Sequence, residues 1–211
     1  RRFTLLFLGF LSLTEVMARH DYQPQDLASF DSVEISLLTC SPHEEIYSLY
    51  GHTALRWHDL RKGEDIAFNW GVFDFKKPYF VGRFVFGLTD YELGAYPYPL
   101  FRKEYKKYGS GITEQVLNLR PEEKMAIKEA LIRNMQPENK VYRYNYFYDN
   151  CSLRPRNLIE RCISGEVKYV AREAYQPPYR EMVHGCVRNH PWAAFGNDML
   201  LGIRADMKTD L

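Results

Sequence analysis

A thiol placed to act as a nucleophile stands in the segment 144–155, which reads Tyr-Asn-Tyr-Phe-Tyr-Asp-Asn-Cys-Ser-Leu-Arg-Pro. Cys151 follows a strand-like aromatic run, and the apolar residues after it keep the spacing of one helix face: Leu158, Ile159, Cys162 and Ile163. Pro155 is tolerated only in the first turn of such a helix. Cys151 is therefore predicted at or beside a helix N-terminus, where unpaired N–H groups and the helix dipole lower a thiol's pKa.

A nucleophilic thiol needs an imidazole within hydrogen-bond reach and a third group that fixes the imidazole's tautomer. His52 follows a glycine at the start of a predicted strand, and residues 52–57 and 66–73 are predicted to pair as an antiparallel hairpin. Asn69 on the return strand can face the strand that begins at His52, so it is predicted to orient the ring. Asp74 is the alternative partner.

The predicted catalytic set is therefore Cys151, His52 and Asn69. His43 and His58 are competing bases, but His43 follows a Ser-Pro break and His58 lies beside a turn. No Cys-x-x-Cys or His-x-x-x-His spacing indicates a zinc site, so no metal or cofactor is predicted. The competing interpretation is that the thiol at position 151 is a core residue or half of a disulfide.

Charge and length restrict the class of protein. With 28 Lys and Arg against 27 Asp and Glu, the net charge of +1 argues against nucleic-acid binding by bulk electrostatics. The 211 residues favour one domain, predicted over residues 33–205. An antiparallel hairpin followed by segments with helical spacing is typical of an α+β fold, with an antiparallel sheet packed against helices.

The first residues have the order of an export signal. Two arginines precede an apolar stretch at residues 3–13, and small residues follow up to Ala18. The stretch is shorter than the about 20 residues that span a bilayer. Residues 1–18 are predicted to be a signal peptide or a truncated membrane anchor, because the sequence does not start with Met. Export implies an oxidising compartment, where Cys162 and Cys186 are predicted to pair.

Three blocks together carry a resemblance to a known family: Tyr-Gly-His-Thr-Ala-Leu-Arg at 50–56, Phe-Asn-Trp-Gly-Val-Phe-Asp-Phe at 68–75, and the cysteine segment 144–155. In combination they resemble the N-terminal periplasmic domain of the bacterial lipoprotein N-acyltransferase family Lnb. The resemblance implies a circularly permuted papain-like (NlpC-like) fold. It also implies a periplasmic, membrane-associated location at the inner membrane surface.

The resemblance further implies a thiol acyltransferase. Cys151 would take an acyl chain from a phospholipid donor as a thioester and pass it to the N-terminal amine of a lipoprotein acceptor. His52 would be the base and acid, Asn69 would orient it, and N–H groups at the helix start would hold the oxyanion. Arg154 and Arg156 are predicted to bind the substrate's phosphate, with solvated side chains as the alternative.

Two other functions are compatible with the same residues. A cysteine hydrolase, such as an amidase, a cell-wall peptidase or a lipid thioesterase, would use the same Cys151 and His52 with water as the acceptor. A non-catalytic exported domain that binds a lipoprotein or a glycan would hold Cys151 in a disulfide.

Overall fold

The computed structural model describes residues 27–73, 78, 79, 83, 88–169 and 176–207. The strands are β1 (Val33–Cys40), β2 (His52–Asp59), β3 (Glu64–Val72), β4 (Asp90–Pro97), β5 (Ile112–Val116) and β6 (Val141–Arg143). The helices are α1 (Tyr98–Lys107), α2 (Pro121–Asn134), α3 (Pro137–Lys140), α4 (Leu153–Cys162), α5 (Tyr179–Cys186) and α6 (Pro191–Leu200). Single 3₁₀ turns lie at Ile46–Ser48 and Ile203–Asp206. The predicted signal segment 1–18 and Asp74 lie outside the described residues.

The strands form one six-stranded sheet in the order β5-β1-β2-β3-β4-β6, with every neighbouring pair antiparallel. This confirms the predicted α+β class and the predicted hairpin, which is now β2 with β3. The hairpin forms because apolar residues recur at every second position on each strand and a polar turn separates the strands. Gly63 takes a positive φ of 69° in that turn.

Helices cover both faces of the sheet. On one face α2 and α4 pack over a core that includes Ile35, Trp57, Trp70 and Leu158. On the other face α1 packs through Phe101 against Leu38, Cys40, Ala54 and Ala67. Residues two apart on a strand share a face, so His52 lies on the same face as Ala54, on the α1 side.

A buried carboxylate joins α2 to the end of α4. Glu123 in the first turn of α2 accepts hydrogen bonds from the Arg120 N–H at 2.9 Å and from the Ser164 N–H at 2.8 Å. Burial alone would raise the pKa of Glu123, but these backbone donors and the Arg120 guanidinium outweigh burial and lower it. The ionised carboxylate therefore fixes the end of α4 against α2.

Two local predictions need correction. The strand-like run predicted before Cys151 is a strand only as far as Arg143, because Asn145 accepts the N–H groups of residues 147 and 148 and turns the chain. The predicted Cys162–Cys186 disulfide is wrong, since both residues are free thiols in the structure.

Candidate functional site

His52 and Asn69 are joined by a hydrogen bond at the mouth of the hairpin. His52 Nε2 lies 2.7 Å from Asn69 Oδ1, and the same oxygen accepts the Gly71 backbone N–H at 2.7 Å. A backbone N–H can only donate, so the Asn69 atom that it contacts must be the amide oxygen. His52 therefore carries its proton on Nε2, which leaves Nδ1 as the nitrogen that can take a proton from a thiol.

Gly71 makes room for the imidazole. The β2–β3 register, with Leu55 opposite Phe68, continues to place Gly71 across from His52. A Cβ on Gly71 would lie 2.7 Å from His52 Cε1 and 3.1 Å from Asn69 Oδ1. The β3–β4 pairing is also irregular between Asn69 and Val72, where the chain bends around the site. Only a glycine at position 71 lets the ring lie flat against the return strand.

Cys151 lies two residues before α4, in the turn whose N-cap residue is Ser152. Its sulfur is close enough to the His52 side chain, the Thr53 backbone N–H and the Ser152 side chain for each of them to lower its pKa. The Ser152 hydroxyl also lies 3.0 Å from the Thr53 hydroxyl, which joins the turn to β2. Residues 52 and 151 thus meet although they are far apart in the chain.

The two titratable groups shift each other's pKa in the direction that favours charge separation. Burial alone would raise the pKa of Cys151, but the hydrogen bond from His52, together with the charge of the imidazolium, outweighs burial and lowers it. Burial alone would lower the pKa of His52, but the hydrogen bond to Cys151, with the thiolate's charge, outweighs burial and raises it. The arrangement therefore stabilises a thiolate–imidazolium pair.

Asn150 occupies most of the free N–H groups at the start of α4. Its Oδ1 accepts the Ser152 and Leu153 N–H groups, each at 2.9 Å, and its Nδ2 donates to the Tyr146 carbonyl at 2.9 Å. These donors are therefore not available to a bound oxyanion. Among the described residues, the Cys151 N–H has no such partner and is the backbone donor left at this turn.

A cavity of about 560 Å³ opens over the cysteine and the histidine. Ten of the 22 described residues that line it are Tyr or Phe: Tyr47, Tyr50, Phe73, Tyr91, Tyr96, Phe101, Tyr105, Tyr108, Tyr144 and Tyr146. Cys151, His52 and Asn69 all line it as well. The three predicted catalytic residues therefore share one cavity rich in aromatic rings. Of the two competing bases, His43 also lines this cavity and His58 lies outside it.

The two arginines predicted to bind phosphate lie outside the lining of this cavity. Arg154 makes paired hydrogen bonds of 2.7 Å to Asp149 and stacks 3.6 Å over the Tyr142 ring. Arg156 is exposed and bonds the Asn157 side chain at 3.1 Å. The phosphate role stays a prediction, and the geometry does not favour it because the Arg154 donors are already used.

A family model described as the Lnb N-terminal periplasmic domain matches residues 21–184. The chain belongs to this family. Membership confirms the resemblance in the three sequence blocks and supports a periplasmic location. A comparison with curated proteins and another with solved structures gave no match.

In the described residues of this Lnb-family domain, no helix is long and apolar enough to cross a bilayer. In the same residues, no cluster of three or more His, Cys, Asp or Glu side chains is arranged to hold a metal ion.

Sequence reasoning missed two residues of the site. Gly71 stands in the Asn-Trp-Gly block of the resemblance, and its role follows only from the strand register that places it against His52. Glu104 lines the cavity from α1, in a segment whose other charged residues are all basic: Arg102, Lys103, Lys106 and Lys107. The helical spacing of Leu100, Phe101 and Tyr105 is the signal that could have shown which side of that segment faces inward.

Proposed function

We propose that this domain is a periplasmic thiol acyltransferase with a permuted papain-like fold. It moves an acyl chain from a membrane phospholipid, through a Cys151 thioester, to the N-terminal amine of a lipoprotein. The single observation that carries the proposal is that Cys151 and the hydrogen-bonded pair His52–Asn69 line the same cavity, with Cys151 and His52 close enough to shift each other's pKa. These three residues have the parts of an activated thiol nucleophile, namely a thiolate, a base and a group that orients the base.

The first step is acylation of the enzyme. The Cys151 thiolate attacks the carbonyl carbon of the phospholipid ester, and the carbon–oxygen bond to glycerol breaks. The His52 imidazolium donates its proton to the departing alkoxide, which leaves as a lysophospholipid alcohol. The Cys151 N–H supports the carbonyl oxygen while it carries negative charge.

The second step returns the enzyme to its starting form. The neutral amine of the acceptor attacks the thioester carbonyl, the carbon–sulfur bond breaks, and an amide forms. Neutral His52 takes the proton from the amine nitrogen, and the Cys151 thiolate re-forms. Asn69 keeps the histidine tautomer fixed through both steps, because its oxygen holds the Nε2 proton.

The cavity walls support an acyl substrate. The rings of Tyr144 and Phe73 both stack on Tyr91, with centroids 4.2 and 4.9 Å from the Tyr91 centroid. Together the three rings give a continuous apolar surface. Burial of methylene groups against such a surface contributes about 0.8 kcal/mol each. No Lys or Arg is among the described residues that line the cavity, so its chemistry suits a chain rather than a phosphate.

The inner membrane surface is the partner we propose for α6. Trp192, Phe195 and Met199 stand on one side of this helix and are 85%, 58% and 73% exposed. On its other side, Asn197 donates a 2.7 Å hydrogen bond to Tyr50 in the cavity wall. Arg188, which is exposed three residues before the start of α6, complements anionic headgroups. Replacing all three apolar residues by Glu should reduce co-sedimentation with phosphatidylglycerol vesicles, and unchanged sedimentation would exclude this surface.

The deciding experiment supplies phosphatidylethanolamine vesicles and a diacylated lipopeptide to the full chain. Intact mass should show one acyl group on Cys151, followed by an N-acylated peptide. Release of fatty acid without N-acylation would reject the transferase and indicate a hydrolase. Absence of any acyl-enzyme, with Cys151 found in a disulfide in the native protein, would reject both enzymes and favour the non-catalytic binding domain.

A further inference from the structure

Helix α1 presents two chemically different sides. The side that lines the cavity carries Leu100, Phe101, Glu104, Tyr105 and Tyr108, which recur at the spacing of one helix face. The other side carries exposed cations that do not line the cavity: Arg102, Lys103, Lys106 and Lys107. In a helix with this many cations, the charged side chain that faces the site is an acid.

Glu104 is the one carboxylate among the described residues that line the cavity. In the part of the chain that the structure describes, no hydrogen bond or ion pair joins its carboxylate to another residue. Its charge nevertheless acts on groups around the cavity. Burial raises the pKa of Tyr96, and the negative charge of Glu104 contributes to the increase. Burial likewise raises the pKa of Tyr47, where Glu104 is a smaller cause.

Two tyrosine rings that line the cavity with Glu104 are partly exposed. These residues, Tyr47 and Tyr96, are 49% and 40% exposed. A carboxylate gives an ammonium group a charge-assisted hydrogen bond, and the face of a tyrosine ring attracts the same cation. An anionic group would meet repulsion beside Glu104, since no Lys or Arg among the described residues lines the cavity to offset the carboxylate.

We propose that Glu104, with the rings of Tyr47 and Tyr96, forms a subsite for a substrate ammonium group beside the Cys151–His52 pair. This inference rests on the proposed acyl transfer, which offers two sources of that chemistry. One is the ethanolamine or choline headgroup of the phospholipid donor. The other is the N-terminal α-ammonium group of the lipoprotein acceptor, which must release one proton before its nitrogen can attack.

The first test does not depend on catalysis. An aminoethyl methanethiosulfonate, which carries a primary ammonium group, and a sulfonatoethyl methanethiosulfonate both form mixed disulfides with a thiolate and release methanesulfinate. Their rates are compared at Cys151 in a Cys186→Ala background, with mass mapping to assign the modified residue. Glu104→Gln should lower the ratio of cationic to anionic rates about tenfold, the factor expected for one charge-assisted contact. Lys103→Gln, on the opposite side of α1, is the matched control and should leave the ratio nearly unchanged.

The second test identifies the source of the ammonium group. Acylation of Cys151 is measured with phosphatidylethanolamine and with phosphatidylglycerol vesicles, and transfer is measured from the isolated thioester to lipopeptide or water. A Glu104→Gln loss confined to the ethanolamine donor assigns the headgroup, and a loss confined to the amine acceptor assigns the lipoprotein. If Glu104→Gln forms the thioester and transfers it as well as the wild type with every donor and acceptor, and the reagent ratio is unchanged, the ammonium subsite is wrong. The proposed acyltransferase activity is then unaffected. A wild-type chain without any thioester overturns the acyltransferase instead, and the reagent ratio then decides whether a cation site remains.

Discussion

Two histidines in this domain have similar oxygen partners and different surroundings. His52 Nε2 lies 2.7 Å from Asn69 Oδ1, and His184 Nε2 lies 2.8 Å from Asp198 Oδ1. Each also has a cysteine close by, in space for His52 and two positions along the chain for His184. The pKa values of the two thiols shift in opposite directions. Burial raises the pKa of Cys186, whereas His52 outweighs burial at Cys151 and lowers its pKa.

The difference comes from which elements carry the pair. His184 and Cys186 stand on one helix, and residues two apart on a helix do not face each other. Asp198 also accepts a 2.9 Å hydrogen bond from Arg180, so the exposed histidine belongs to a surface ion-pair cluster. An imidazole oriented by an oxygen partner is therefore not enough to activate a thiol. A nucleophile requires a second element that brings the thiol to the ring's other nitrogen.

The largest effect should come from removing one thiol or the other. Cys151→Ala should lower N-acylation of a lipopeptide by more than about 10³-fold, because removing the nucleophile also removes the contribution of the His52 base that acts through it. Cys186→Ala should leave the rate within about twofold, since this sulfur has no base beside it. The product is quantified by mass spectrometry. Equal losses in both variants would remove the distinction between the two histidine regions.

The next effect is a change in pH dependence. Because His52 lowers the pKa of Cys151, iodoacetamide should alkylate Cys151 at pH values well below the ordinary thiol pKa of about 8.5. His52→Gln removes the imidazolium, so the thiol pKa should rise and the rate near pH 6 should fall about tenfold or more. His184→Gln should leave the profile of Cys151 unchanged. A Cys151 profile that keeps its low pKa in His52→Gln would assign the stabilisation to the helix start alone.

The sequence predicted the local elements of the site better than their contacts. Strand β1, the β2–β3 hairpin and the helix after Cys151 follow from two-residue and helical periodicities, which are local signals. The Asn69 contact was predictable because antiparallel pairing restricts which residues can face His52. The burial of Phe101 depends on strands distant in the chain, which no local pattern specifies. The pairing of Arg154 with Asp149 depends on the turn between Asn145 and Asp149, where the sequence predicts a continuous strand.

A third prediction concerns the space beneath the ring. Gly71→Ala would place a Cβ 2.7 Å from His52 Cε1, so the imidazole must shift away from Asn69 or from Cys151. A displacement of about 1 Å in a catalytic group lowers turnover about 10²-fold. Gly165→Ala is the matched control, since a Cβ there meets no atom within 4 Å. Circular dichroism should show both variants folded, and a fully active Gly71→Ala protein would contradict the packing of the ring against β3.

The smallest effect should lie at the helix start, where the two regions differ again. Asn150 accepts the Ser152 and Leu153 N–H groups at the start of α4, while α5 begins after Pro178 with no side-chain cap. Asn150→Ala should therefore lower the free energy of unfolding by about 1 kcal/mol, as loss of a capping side chain does. Asn157→Ala, within α4, is the control and should change it by less than about 0.5 kcal/mol. Urea denaturation measures both values.

The same Asn150 variant also separates two roles of the helix start. Without the Asn150 side chain, the Ser152 and Leu153 N–H groups become free to face an anion near Cys151. If these groups then support the thiolate, iodoacetamide should react with Cys151 at least as fast in Asn150→Ala as in the wild type, although the protein is less stable. A slower reaction together with the lower stability would mean that Asn150 positions the thiol against His52, so that capping and catalysis depend on one side chain.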